Sequence, residues 1–252
     1  MNSIKPIISA KWSARGAAIG LIAATALGGS ALALRDVHAA VERALGLDAA
    51  RQIEAMAPSA ARDTLLMQGQ MHLSEAIAAR GRDSEVWLAL SRIRFHQATG
   101  AEIGGVSPIL LDAAAGAALR AEEFEPGDAE APGRVAEALS LAAPARRAEA
   151  ANALARSYAL APLNMNFAAW RTPAAARLWL DLPAPVRAQA RAEACAYAVE
   201  GGAAEIEALA VGAHDPAVAA AFDEIRRDPN CVSPSASPDP ETTPPAPEAE
   251  PA

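Results

Sequence analysis

Aromatic side chains make up only 4% of this chain, lysine occurs twice, at Lys5 and Lys11, and cysteine twice, at Cys195 and Cys231. Few aromatics exclude a core hung on a handful of large anchors. The apolar share is mostly alanine, so the fold must bring small side chains into close helix–helix contact. Strand-like alternation of useful length and β-branched runs are almost missing, which excludes an extensive sheet and predicts an all-α protein. Two cysteines 36 positions apart make no zinc or redox motif. In an oxidising compartment they can form one disulfide, and otherwise they are one buried and one exposed thiol. With lysine so scarce, nearly every basic residue is arginine, a bias of GC-rich bacterial coding that carries no functional weight.

The motifs that announce chemistry are missing too. His38, His72, His96 and His214 show no H-x-x-x-H or H-E-x-x-H spacing, and no acid sits in sequence beside two of them in a ligand-like group. A G-x-S-x-G elbow, a Walker loop and a dinucleotide glycine pattern are all absent. "GAEIGG" at 100–105 lacks a preceding strand and reads as a loop. The carboxylate pairs Glu122/Glu123 and Glu205/Glu207 belong to solvated helix faces. No catalytic, cofactor-binding or metal-ligating residue is nominated, and the expectation is a protein that is not an enzyme. The net charge is −8, and Asp239, Glu241, Glu248 and Glu250 carry half of it in a segment without Lys or Arg. The remaining body is mildly acidic, which argues against a nucleic-acid partner.

What is present begins with "RGAAIGLIAATALGGSALALRD", residues 15–36, where nineteen uncharged residues lie between Arg15 and Arg35. As a helix they would span roughly 28 Å, close to the roughly 30 Å hydrocarbon core of a bilayer. Six Leu and Ile side chains contribute about −3 kcal/mol to insertion, partly offset by glycine, serine and threonine. A signal peptide also fits: Lys5, Lys11 and Arg15 start it, 16–27 form its apolar stretch, and Ala31-Leu32-Ala33 resembles a cleavage site. A buried core helix is the third reading. The favoured reading is a single-pass inner-membrane anchor over 16–34, because the apolar run continues into "RDVHAAVERAL" without a break. The positive charges at its start keep 1–15 in the cytoplasm and place the bulk of the chain in the periplasm, and a cleaved signal would export the same body.

Beyond the anchor, residues 36–229 read as a helical domain and 230–252 as a disordered, Pro-rich, acidic tail, since "CVSPSASPDPETTPPAPEAEPA" cannot build a core. Periodicity and Pro/Gly punctuation predict helices over 36–45, 48–56, 59–79, 84–98, 108–124, 131–142, 145–160, 173–181, 184–200, 203–212 and 215–227. Short turns between them predict antiparallel pairs. Gly81, Gly100 and Gly201-Gly202 are expected after helix ends, and Pro108, Pro173 and Pro216 in first turns. Buried stripes are expected at Leu66, Gly69, Leu73 and Ile77, at Ala150, Leu154, Ser157 and Tyr158, and at Val186, Ala190, Ala194 and Tyr197. Trp87, Trp170 and Trp179 are expected to be large plugs in the core.

The segment "APGRVAEALSLAAPARRAEAANALARSYALAPLN", 131–164, resembles a tetratricopeptide repeat, a helix–turn–helix unit of about 34 residues. Ala138 and Leu141 match its first helix, Ala150, Leu154 and Ser157 its second, and Pro162 its closing proline. Arg134 and Glu137 depart from it, standing where the family has an aromatic and a large apolar residue. A second copy is suggested by "EVWLALSRIRF" with "SPILLDAAAGAALRAEEFEPGD", where Trp87, Ala114, Ala118, Ala121 and Pro126 match, across a longer connection than the family uses. The resemblance implies stacked antiparallel helical pairs, a TPR-like α-solenoid; the alternative is an irregular helical domain. It also implies a scaffold or adaptor in a bacterial envelope assembly, with a concave surface for a protein or peptide partner whose contacts include Arg92, Arg94 and Arg156. The other reading kept open is an exported envelope enzyme or ligand-binding protein without a recognisable motif.

Overall fold

The computed structural model describes residues 14–100 and 106–231, and for 14–31 the backbone alone. The predicted cytoplasmic start, most of the predicted anchor's side chains, the 101–105 loop and the tail from 232 lie outside the described residues.

Among the described residues every regular element is helical. In chain order they are α1 (Ala14–Ala55), α2 (Ala60–Ala79), α3 (Ser84–Thr99), α4 (Pro108–Phe124), α5 (Glu130–Leu141), α6 (Arg147–Leu160), α7 (Met165–Leu178), α8 (Ala184–Tyr197), α9 (Ala203–Gly212) and α10 (Pro216–Arg227). Starts are set by local chemistry. The side chains of Ser59, Asp83, Asn164 and Asp215 accept backbone N–H groups of the first turns of α2, α3, α7 and α10. Pro108 and Pro216 occupy first turns, where a missing N–H costs nothing.

Two boundaries depart from the sequence reading. The helices expected at 36–45 and 48–56 are one, because Gly46 does not break α1 but lets α2 approach it. A Cβ at Gly46 would come within 2.6 Å of Leu73 Cδ2. Pro173 lies inside α7 and not at its start. Packing of Ala168, Arg171, Ala175 and Leu178, all buried, holds the helix through the proline. Of the expected glycine stops, Gly201 is the one with positive φ, 119°, in the π turn Ala198–Gly202 that joins α8 to α9.

The first three odd-numbered helices each pack on the even-numbered successor and on the next odd one: α1 on α2 and α3, α3 on α4 and α5, α5 on α6 and α7. The expected stripes are inside except for Ile77, Val186 and Tyr197, which are half-buried. Leu66, Gly69 and Leu73 are buried on α2, Ala150, Leu154, Ser157 and Tyr158 on α6, and Ala190 and Ala194 on α8. Leu111, Leu139, Leu154, Tyr158 and Leu178, none more than 1% exposed, form the centre of the main core. Each such side chain contributes roughly 1.5–3 kcal/mol through burial. Trp87, Trp170 and Trp179 are only half-buried, so alanine and leucine fill the centre and the tryptophans pack around it. Helix α5 is buried from Ala131 through Leu139. Helix α5 is therefore enclosed by its neighbours over that stretch.

Among the described residues no helix is long and apolar enough to cross a membrane. The span expected at 16–34 gains no support from the structure, and its side chains up to 31 lie outside the described set.

Candidate functional site

Charged residues of α1, α3 and α5 meet around Arg134 and Glu130 of α5. Arg134 donates from Nε to Glu130 at 3.1 Å, from Nη1 to Glu137 at 2.9 Å and from Nη2 to Glu54 of α1 at 3.0 Å. Its guanidinium lies 4.4 Å from the ring centroid of Trp170 on α7. Burial works against the charge on Arg134, but Glu137, Glu130 and Glu54 together hold its pKa above the ordinary value. The two departures from the tetratricopeptide pattern are thus the centre of one ion network.

Arg92, Arg94 and Arg156, expected to contact a partner, are all engaged within the chain. Arg92 grips Glu130 with two hydrogen bonds of 2.9 and 3.1 Å, joining α3 to α5. Arg94 donates to the Ala113 carbonyl at 3.1 Å, and burial lowers its pKa. Arg156 donates to both oxygens of Glu122, at 3.1 and 3.2 Å. These arginines tie helices together.

Three of the ties share one spacing, while Arg92–Glu130, Arg43–Asp83 and Arg191–Glu224 stand 38, 40 and 33 residues apart. Asp112–Arg146, Glu122–Arg156 and Asp181–Arg147 are hydrogen-bonded pairs whose members stand 34 residues apart. Two join α4 to the start and body of α6, and the third joins α6 to the turn before α8. The single sequence could not show this, because each pair looks like two unrelated surface charges.

A second charged site is wholly buried. Arg171 on α7 donates from Nε to Glu193 on α8 at 2.8 Å and makes a further contact from Nη2 to the other carboxylate oxygen. Arg171 also donates to the Ala161 carbonyl at 2.9 Å and stacks 4.1 Å from the Tyr158 ring. The Tyr158 hydroxyl donates to Glu193 at 3.3 Å, and burial with the neighbouring carboxylate pushes its pKa upward. No solvent-facing atom remains for substrate, so the pair pins α6, α7 and α8 together.

An open feature lies at the C-terminal end. A groove of about 460 Å³ runs between α7 and the α9–α10 hairpin, with Ala176, Leu180, Leu209 and Val218 as its apolar walls and Arg147 and Arg177 on its rim. Arg177 donates to Ser140 at 2.8 Å, and burial lowers its pKa. Among the described residues Arg147 is paired with Asp181, whereas Arg177 has no carboxylate at salt-bridge distance. Behind the hairpin, Cys195 of α8 is disulfide-bonded to Cys231, with Cα atoms 4.6 Å apart.

The histidines are dispersed. His96 accepts from Arg62 at 2.8 Å, and burial followed by the charges of Arg62, Arg134 and Arg92 lowers its pKa to about 4. Glu42 does sit between two histidines, 2.6 Å from His72 Nδ1 and 3.6 Å from His38 Nδ1, a meeting the sequence spacing hid. Among the described residues no group of three or more His, Cys, Asp or Glu is placed to hold a metal ion. No protein-family model matches the chain, and no match was found among curated proteins.

Proposed function

We propose that the chain is a non-enzymatic, TPR-like scaffold or adaptor, anchored in the inner membrane through 16–34, that presents its helical stack in the periplasm to a protein partner in a bacterial envelope assembly. The observation that carries this reading is the 34-residue spacing of the three interhelical ion pairs, Asp112–Arg146, Glu122–Arg156 and Asp181–Arg147, which equals the length of a tetratricopeptide unit. Stacks of this kind work by offering an extended surface to another chain. Helix α5 is buried over 131–139, so the surface on offer is the groove between α7 and α9–α10. Its apolar walls suit an apolar segment, with Arg147, Arg177 and Asp215 as charged groups lining the groove.

Photocrosslinking from position 180 in intact cells tests this. Leu180 is 56% exposed on the groove wall, so a photoreactive residue there should yield a discrete partner adduct that Leu209→Glu abolishes. Adduct formation unaffected by Leu209→Glu would remove the groove from the reading. A reporter fused after Arg35 should be active only in a periplasm-dependent assay; cytoplasmic activity would remove the anchor and the exported signal together. One observation favours a second reading, an exported ligand-binding protein: 460 Å³ lies within the roughly 300–1,000 Å³ range of small-molecule sites. A small molecule that raises the melting temperature, with no protein adduct, would select it.

A further inference from the structure

Helix α1 is apolar on two opposite sides, and only one of them is covered. Ala39, Gly46 and Ile53, seven residues apart, are buried, with Gly46 against α2 and Ile53 in the cluster that includes Leu73 and Ile93. On the other side Leu34, Val37, Val41 and Leu45 are 72%, 62%, 49% and 47% exposed. A helix hydrophobic on both sides is normally buried on both. In the run α1, α3, α5, α7, helices α3 and α5 each have an odd neighbour on either side, and α1 stands at the first end. Its open side points away from α2 and α3.

We infer that this stripe is the seam of a symmetric, parallel pairing between the α1 helices of two copies of this chain. Three features select a second copy as the occupant. First, Leu34, Val37, Val41 and Ala44 follow the 3-4 spacing of a coiled-coil seam, with Leu45 flanking it. Read back along the sequence, the same spacing falls on Ser30, Leu27, Ala23 and Gly20, so no charge interrupts the register for three and a half heptads. Second, the positions flanking that seam, the e and g sites of a heptad, are alanine at 24, 26, 31, 33 and 40, with His38, Leu45 and Leu47 completing the set. Small flanks allow close approach, and like charges never face each other across a parallel pair.

Third, the charged residues of this stretch all turn back into their own chain. Arg35 donates to the Ala79 carbonyl, Asp36 pairs with Arg80 at 3.0 Å, Glu42 with His72, and Arg43 with Asp83. The outward side is left to apolar groups by that arrangement. Asp48, one heptad beyond Val41, would place two carboxylates together and marks where the seam ends. The seam follows from α1 alone, so it stands or falls independently of the groove and of any partner bound there.

Cysteine crosslinking of the full chain in its native membranes tests the pairing. The chain's own cysteines are bonded to each other, so Val41→Cys adds a free thiol at the seam. A short bismaleimide should convert most of the Val41→Cys chain to a species of twice the mass, and should leave Glu75→Cys, exposed on α2, monomeric. Val37→Glu added to the Val41→Cys chain should abolish the doubled mass while leaving helicity and melting temperature unchanged, since that side chain already faces outward. Equal crosslinking at 75 would overturn the inference. So would a monomeric mass with Val41→Cys shielded from a water-soluble maleimide, the outcome for a stripe seated on lipid, and so would a crosslink to a different protein.

Discussion

Arg171 and Glu193 form an ion pair in which neither side chain has any solvent exposure. Arg171 is also the largest of the fully buried side chains. Such a pair holds α7 and α8 in one arrangement because each charge is tolerable only beside the other.

Removing one member should therefore cost far more than removing both. Glu193→Leu alone leaves a buried guanidinium with only carbonyls and a hydroxyl for company, and Arg171→Met alone leaves a buried carboxylate. Each should lower the unfolding free energy by about 3–5 kcal/mol. The double variant should cost clearly less than the two single losses added together. Urea unfolding of the four proteins measures this, and strict additivity would show that the pair is not coupled.

Helix ends with a chemical marker were legible in the sequence. Pro108 and Pro216 start α4 and α10, and α4 and α9 have the bounds that periodicity predicts. The stripe of Leu154, Ser157 and Tyr158 was legible for the same reason, since its signal is local spacing. Pro173 misled because a helix boundary read from one residue ignores what packing can hold in place. The pairing of Arg92 and Arg156 was hidden for another reason. Their acceptors lie 38 and 34 residues away, so in the sequence they look like free surface cations. The same holds for Arg134, whose contact with Glu54 spans 80 residues and turns an apparent defect in the repeat pattern into the centre of a network.

His96 makes the fold sensitive to acid. Burial, then Arg62, Arg134 and Arg92, hold its pKa at about 4, below the ordinary 6.5. The folded state therefore binds the proton less readily than the unfolded chain. The stabilisation is fully present above pH 6.5 and is lost as pH falls from 6.5 toward 4, by about 3 kcal/mol in all. His96→Gln keeps an acceptor for Arg62 but cannot take a proton. Urea midpoints at pH 7, 5.5 and 4 should fall less steeply for this variant than for the native chain, and parallel curves would refute the assignment.

Thr172 and Ser157 should respond in opposite senses to loss of a hydroxyl. Thr172 is 1% exposed and its Oγ1 has no hydrogen-bond partner, so Thr172→Val removes a desolvated polar atom while keeping the branched shape. A gain of about 1 kcal/mol is expected. Ser157 Oγ donates to the Ala129 carbonyl at 2.8 Å and accepts from Arg171 at 3.3 Å. Ser157→Ala should cost about 1–3 kcal/mol, because it leaves both of those groups short of a partner. Thermal unfolding of the two variants decides it; destabilisation by Thr172→Val would mean that the hydroxyl is satisfied after all.

The Cys195–Cys231 bond should stabilise one end of the molecule and not the whole. It closes a stretch of chain with a separation of 36 residues that contains α9 and α10, and loop-closure entropy for that length is worth about 4 kcal/mol. The hairpin's own core is small, built on Ile206, Phe222 and Ile225, so it depends on that constraint more than α1–α6 do. Replacing both cysteines with serine should raise amide exchange in α9 and α10 by at least tenfold and leave α2 to α6 unchanged. Since α9 and α10 form one wall of the groove, adduct formation from position 180 should weaken in parallel. Uniform loss of protection along the chain would show that the bond acts on global stability, and unchanged exchange in α9 and α10 would show that the hairpin packs without it.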